Sequence, residues 1–216
     1  MTEPAVTLTD YGLAIENAVF AYLLRTGAGG GAVTRRFAVF FAAGAAAALA
    51  GGTVHGFFLD AETIGARLLW PATLIAVGIC AAAAWAAGAR LALPPGPARV
   101  VTIAAGVDLA VYAAVVLFVT RAFVVAVVNA LPAAAFLLAA FVLRHRRTGE
   151  RAALVAALGL GLTFAAAGVQ VGRVGLDPVL FDHNALYHVV QAAALLLLFI
   201  GARRLRPAAP EGHGPC

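Results

Sequence analysis

Residues 181–190, FDHNALYHVV, put Asp182, His183, Asn184, Tyr187 and His188 at the head of a segment that continues QAAALLLLFIGARRL. At 100° per residue, His183, Asn184, Tyr187, His188 and Gln191 fall within about 140° of arc, one polar helix face with Gln191 deepest. The opposite face, Ala185, Val189, Ala192 and Leu196, is apolar. Two other segments carry polar residues at similar depth. TDYGLAIENAVFAYLL holds Glu16 and Asn17, and AGGTVHGFFLD holds His55, with Asp10 and Asp60 near the segment ends. Imidazoles bind a metal when two or three neutral nitrogens converge and a carboxylate behind them orients the rings. His55, His188 and His183 would supply the nitrogens. Glu16 or Asp60 would stand behind them and serve as acid or base toward a metal-activated water. His183 and His188 are five residues apart, so they would share a metal only in the arc between them. The same residues would equally make a structural hydrogen-bond network, or a ligand pocket without metal.

A second polar feature is Asp108, in AAGVDLAVY, with Asn129 and Gln170 as candidate partners. A carboxylate at mid-membrane must be protonated, paired or facing water, and such a residue reads as a proton or ion step or as an interhelical hydrogen bond. His145 and His213 lie in polar stretches and are given no role.

These side chains sit in an unusually apolar chain. Of 216 residues 63% are hydrophobic and only 12% charged, with mean hydropathy +0.95. A soluble domain carries about twice that charge. The reading is an all-α membrane protein, a bundle of seven transmembrane helices over about 9–25, 36–58, 64–88, 99–119, 121–143, 151–172 and 183–203. Residues 1–206 form one transmembrane domain and 207–216 a short cytoplasmic tail. Gly/Pro-rich stretches such as RTGAGGGAVTRR, LALPPGPAR and RVGLDPVLFD punctuate the spans, and Pro71 and Pro132 fall inside them as tolerated kinks. The first twenty residues lack a basic start and a small-residue cleavage site, so the first helix acts as its own insertion signal.

Arginine placement orients the bundle. Arg25, Arg35, Arg36, Arg90, Arg99, Arg144, Arg146, Arg147, Arg151, Arg203, Arg204 and Arg206 share one side, 12 of the 15, leaving Arg67, Arg121 and Arg173 on the other. By the positive-inside rule the N-terminus is outside and the C-terminus cytoplasmic, across the plasma membrane. Glu3, Asp10, Asp60, Glu62, Asp177 and Asp182 fall outside, with Glu150 and Glu211 inside. The cluster of Glu16, Asn17, His55, His183, Asn184, Tyr187, His188 and Gln191 therefore occupies the outer third. Arg67 reads as a snorkelling side chain and Trp70 as an interfacial anchor. RHRRTGER is a basic topology signal that can also touch anionic lipid headgroups.

The arrangement resembles the superfamily of seven-span membrane hydrolases that includes the alkaline ceramidases, the progestin/adiponectin-receptor-like proteins and the Per1-type lipid-remodelling proteins. His55 in GGTVHGF matches their span-two histidine. NALYH matches the frame of their span-seven HxxxH pair, with His188 as second member, and Glu16 in TDYGLAIEN is similar to a span-one glutamate of the ceramidases. The resemblance implies a bound zinc and hydrolysis of lipid amides or esters. Asn184 stands where the first histidine of the pair would be and Gly51 where a serine would be, and Asp60 precedes span three rather than lying in it. The three motifs are more similar to an uncharacterised bacterial membrane family at the edge of that superfamily.

Composition removes several functions. The chain has no lysine, which excludes a retinal Schiff base, and no serine, which excludes serine hydrolases. Cys80 and Cys216 are far apart and form no CxxC. Two readings remain foremost. One is a zinc-dependent lipid amide or ester hydrolase acting from the outer side. The other is a non-enzymatic bundle for small-molecule binding, sensing or scaffolding, with a structural outer cluster. A transporter is third, argued by Asp108 and opposed by the lack of internal repeats. Membrane lipids, a lipid-like small molecule and no nucleic acid are the expected partners.

Overall fold

The computed structural model describes residues 1–27, 31–177 and 181–205. Arg206, Glu211, His213, Cys216 and the tail assigned to 207–216 lie outside the described residues. Seven helices follow one another: α1 Pro4–Thr26, α2 Ala32–Phe57, α3 Ile64–Ala92, α4 Pro95–Phe118, α5 Phe123–Thr148, α6 Arg151–Val171 and α7 His183–Arg204. Six of them, α2 to α7, are long and apolar enough to cross a membrane. The protein is a helical membrane bundle. α1 falls short on hydropathy because it carries Asp10, Glu16 and Asn17, which face neighbours rather than water. Its exposed positions Leu8, Ile15, Val19 and Tyr22 make an apolar outward stripe.

Local chemistry sets the helix ends. Thr63 caps α3 by accepting from the Ala66 N–H, and Asp182 caps α7 by accepting from the Ala185 N–H at 2.9 Å. Pro4 and Pro95 open α1 and α4, where a missing N–H costs nothing. Gly149, at φ 67°, ends α5 in the left-handed conformation. Pro71 and Pro132 lie inside α3 and α5.

The packing order is α1–α2–α3–α5–α6–α7 and back to α1, a closed ring of six helices, with α4 lying outside it against α3. The buried residues of α4 are Ala98, Ala105, Tyr112 and Val116, a single narrow seam. Tyr112 lies over Gly78 and donates to the Leu74 carbonyl at 2.9 Å. α4 and α5 both pack on α3 rather than on each other, and a groove opens between them.

Small residues let α1 and α2 meet closely. Gly44, Ala48, Gly52 and Gly56 recur every four residues along α2, and Asn17, Asp10 and Thr7 of antiparallel α1 sit against the three glycines. A Cβ on Gly52 would stand 2.7 Å from the Asp10 Cβ. Gly52→Ala is therefore expected to destabilise the protein by about 2 kcal/mol, read as a lower melting temperature in detergent. At the opposite end of the ring, Phe20 stacks on Phe199 with centroids 4.2 Å apart and meets Phe41 edge-on at 5.4 Å. Phe37 adds Phe141 of α5 at 5.8 Å. Such pairs contribute about 1 kcal/mol each beyond their burial.

Candidate functional site

The site forms where α1 begins, α2 ends and α7 begins. Asp10 meets His188 and Phe20 stacks on Phe199, so α1 and α7 run parallel. The His188 ring is held at both nitrogens by α1. Nδ1 lies 2.9 Å from the Thr9 hydroxyl, and Nε2 lies 3.4 Å from an Asp10 carboxylate oxygen. The Thr9 hydroxyl has one proton and also lies 2.8 Å from the Ala5 carbonyl, so when it donates there its oxygen is free to accept from a His188 Nδ1–H. The His188 and Asp10 side chains are 12% and 10% exposed, so the pair is largely shielded from solvent. The Tyr187 ring flanks His188, with centroids 5.3 Å apart.

His55 is held by α1 too, one helix over. Its Nδ1 donates to Glu3 at 2.6 Å, and its ring meets Trp70 of α3 edge-on at 6.4 Å. This leaves the His55 Nε2 lone pair free of a hydrogen bond among the described residues. One short stretch, Glu3 and the first turns of α1 up to Asp10, thus grips an imidazole from α2 and another from α7.

Two rungs join α6 to α7, one on each side of the His188 level along the helix. The Gln170 amide donates to the Asn184 oxygen at 2.6 Å, and the Gln191 amide donates to the Thr163 hydroxyl at 3.3 Å. Asn184 in turn donates to Asp182 at 3.2 Å. Asn17 donates to the Leu13 carbonyl at 2.8 Å, back along its own helix, and lies against Gly44. Thr9, Glu16 and Phe20 fall within about 40° of arc on α1. Thr9 and Phe20 both meet α7, so Glu16 between them faces α7 as well. Glu16 Oε2, Asn17 Oδ1, Gln170 Oε1 and Gln191 Oε1 are enclosed and have no hydrogen-bond partner among the described residues. All four atoms are acceptors.

The remaining candidates lie apart. Asp60 is exposed on the α2–α3 turn, where it accepts from the Glu62 N–H at 2.9 Å. His183 stands at the first turn of α7, 4.0 Å from Asp182, with its side chain 30% exposed. Asp108 belongs to the α4–α5 groove, where Asn129 donates to it at 2.8 Å. Gln170, the other partner expected for Asp108, bonds Asn184 instead. Arg67 pairs with Glu62 rather than snorkelling alone. Sequence reasoning did not assign Glu3, Thr9 or Thr163 to the cluster and left Asp10 at its edge. Thr9 and Glu16, seven residues apart, share a helix face, and that spacing was the available signal.

Zinc, as the resemblance implies it, needs three donors with a common focus. Among the described residues no three His, Cys, Asp or Glu side chains are grouped to hold a metal ion. In this arrangement both His188 ring nitrogens face side chains of α1.

No curated protein and no solved structure matches the chain. Residues 5–207 match the Family of unknown function (DUF6962), and the chain belongs to that family.

Proposed function

We propose that this protein is a non-enzymatic, seven-span bundle of the plasma membrane, serving small-molecule binding, sensing or scaffolding. Its N-terminus is outside, its C-terminus cytoplasmic, and its outer polar cluster is a hydrogen-bonded lock. The observation that carries this reading is the engagement of both His188 nitrogens by Thr9 and Asp10 of α1. A side chain so occupied holds helices together and offers no open coordination position. The seven-span topology is supported by the apolar outward stripe on α1 and by the side bias of the arginines.

A second reading is metal-dependent hydrolysis of a lipid amide or ester, with Glu16 or Asp60 as acid or base. Glu3 favours it by binding His55 Nδ1 and leaving Nε2 open, since a histidine that ligates a metal commonly gives its other N–H to a carboxylate. The enclosed, partnerless Glu16 Oε2 favours it as well. Elemental analysis of the purified wild-type protein separates the two. The lock reading expects zinc at background and a His188→Ala variant that differs in thermal stability alone. About one zinc per chain, lost in His188→Ala, would replace it with the hydrolase.

A further inference from the structure

A groove between α4 and α5 takes no part in the outer cluster. It has a volume of about 540 Å³, within the range of small-molecule sites. Its walls are apolar, among them Val101, Val111, Val115, Val125 and Val128, with Trp85 of α3 also lining it. Into this trough stands Asp108, ten residues before the end of α4 at Phe118 and so about 15 Å from that end. Asp108 is exposed on the bundle surface at a depth where lipid tails, not water, would surround it. Its one hydrogen bond among the described residues comes from Asn129, a neutral amide. No basic side chain among the described residues pairs with it.

A carboxyl group in hydrocarbon with a single amide donor is under-satisfied. The missing complement is a donor, best a positive one, on a body that hydrocarbon tolerates. A second copy of this chain does not bring one. It has no lysine, and Arg99, Arg121 and Arg144 sit at or beyond the ends of α4 and α5.

We propose that the α4–α5 groove binds a lipophilic amine, its ammonium on the Asp108 carboxylate and its hydrocarbon body along the valine-lined trough. Asn129 is a positioning residue: its amide fixes one Asp108 oxygen and leaves the other for the ligand. The site shares no residue with the outer lock, so neither depends on the other.

The test uses the full-length protein in lipid nanodiscs, titrated with dodecylamine. Binding is read by calorimetry on the wild type. It is read again by fluorescence in Trp70→Phe, where Trp85 in the groove wall is the remaining tryptophan. Saturable binding is expected, weakened about tenfold or more in Asp108→Asn, which keeps the shape and the hydrogen bond to Asn129 but loses the charge. Dodecanol should not compete. Equal binding to Asp108→Asn, equal affinity for dodecanol, or uptake with no saturation would each overturn the proposal.

Discussion

Replacing Gly159 or Gly201 with alanine will damage this protein about as much as truncating a large core side chain. The α6–α7 contact brings backbone against backbone. A Cβ on Gly159 would stand 2.6 Å from the Ala194 carbonyl oxygen and 2.7 Å from the Leu198 nitrogen. One on Gly201 would stand 2.7 Å from both the Ala152 oxygen and the Ala156 nitrogen. A rotamer change cannot relieve a clash with main chain, so the helices must part. Parting them would also break the Gln191–Thr163 and Gln170–Asn184 bonds that cross the same interface. The expected cost is about 3 kcal/mol for either alanine, at the upper end for overpacking, and more for leucine. Gly161, two residues along α6, has open space where its Cβ would be. Gly161→Ala should be neutral or stabilising by up to about 1 kcal/mol. Thermal unfolding in detergent compares the three alanine variants directly. Equal melting temperatures for Gly159→Ala and Gly161→Ala would refute the close contact.

The second large effect belongs to the His188–Asp10 pair. Both side chains are almost fully covered, so removing one leaves the other with a desolvated polar group and no partner. Asp10 suffers more, because no other side chain among the described residues bonds it, whereas Thr9 keeps the Ala5 carbonyl at 2.8 Å. His188→Ala and Asp10→Ala should each cost about 3 kcal/mol. Glu3 and His55 are more exposed, at 39% and 29%, so His55→Ala should cost less, about 1 kcal/mol. The order of these losses, rather than any one value, marks which imidazole holds the bundle.

Hydropathy located α2 to α7 because each is an apolar run bounded by arginine, glycine or proline. It placed the start of α1 five residues late, at 9 instead of Pro4, because Thr7 and Asp10 interrupt the run while being buried against α2. It ended α5 at 143, although Arg144 to Thr148 stay helical up to Gly149. The polar face of α7 was legible from its spacing, and so was Asn129 as a partner for Asp108, since mid-span polar residues are few. The partner of His188 was not. Helical periodicity says which residues share a face but not the register of the helix opposite, and a shift of less than two turns exchanges Glu16 for Asp10. The position of α4 outside the ring was equally hidden. Its buried seam marks one face, and no sequence pattern names what that face meets.

Asp10 and His188 act as one unit between α1 and α7. A double-mutant cycle measures this directly: unfolding of wild type, Asp10→Ala, His188→Ala and the double variant, under one set of detergent conditions. The lock predicts that the double variant loses little more than either single variant, with a coupling of about 2 kcal/mol or more. Losses that simply add, with coupling near zero, would contradict it.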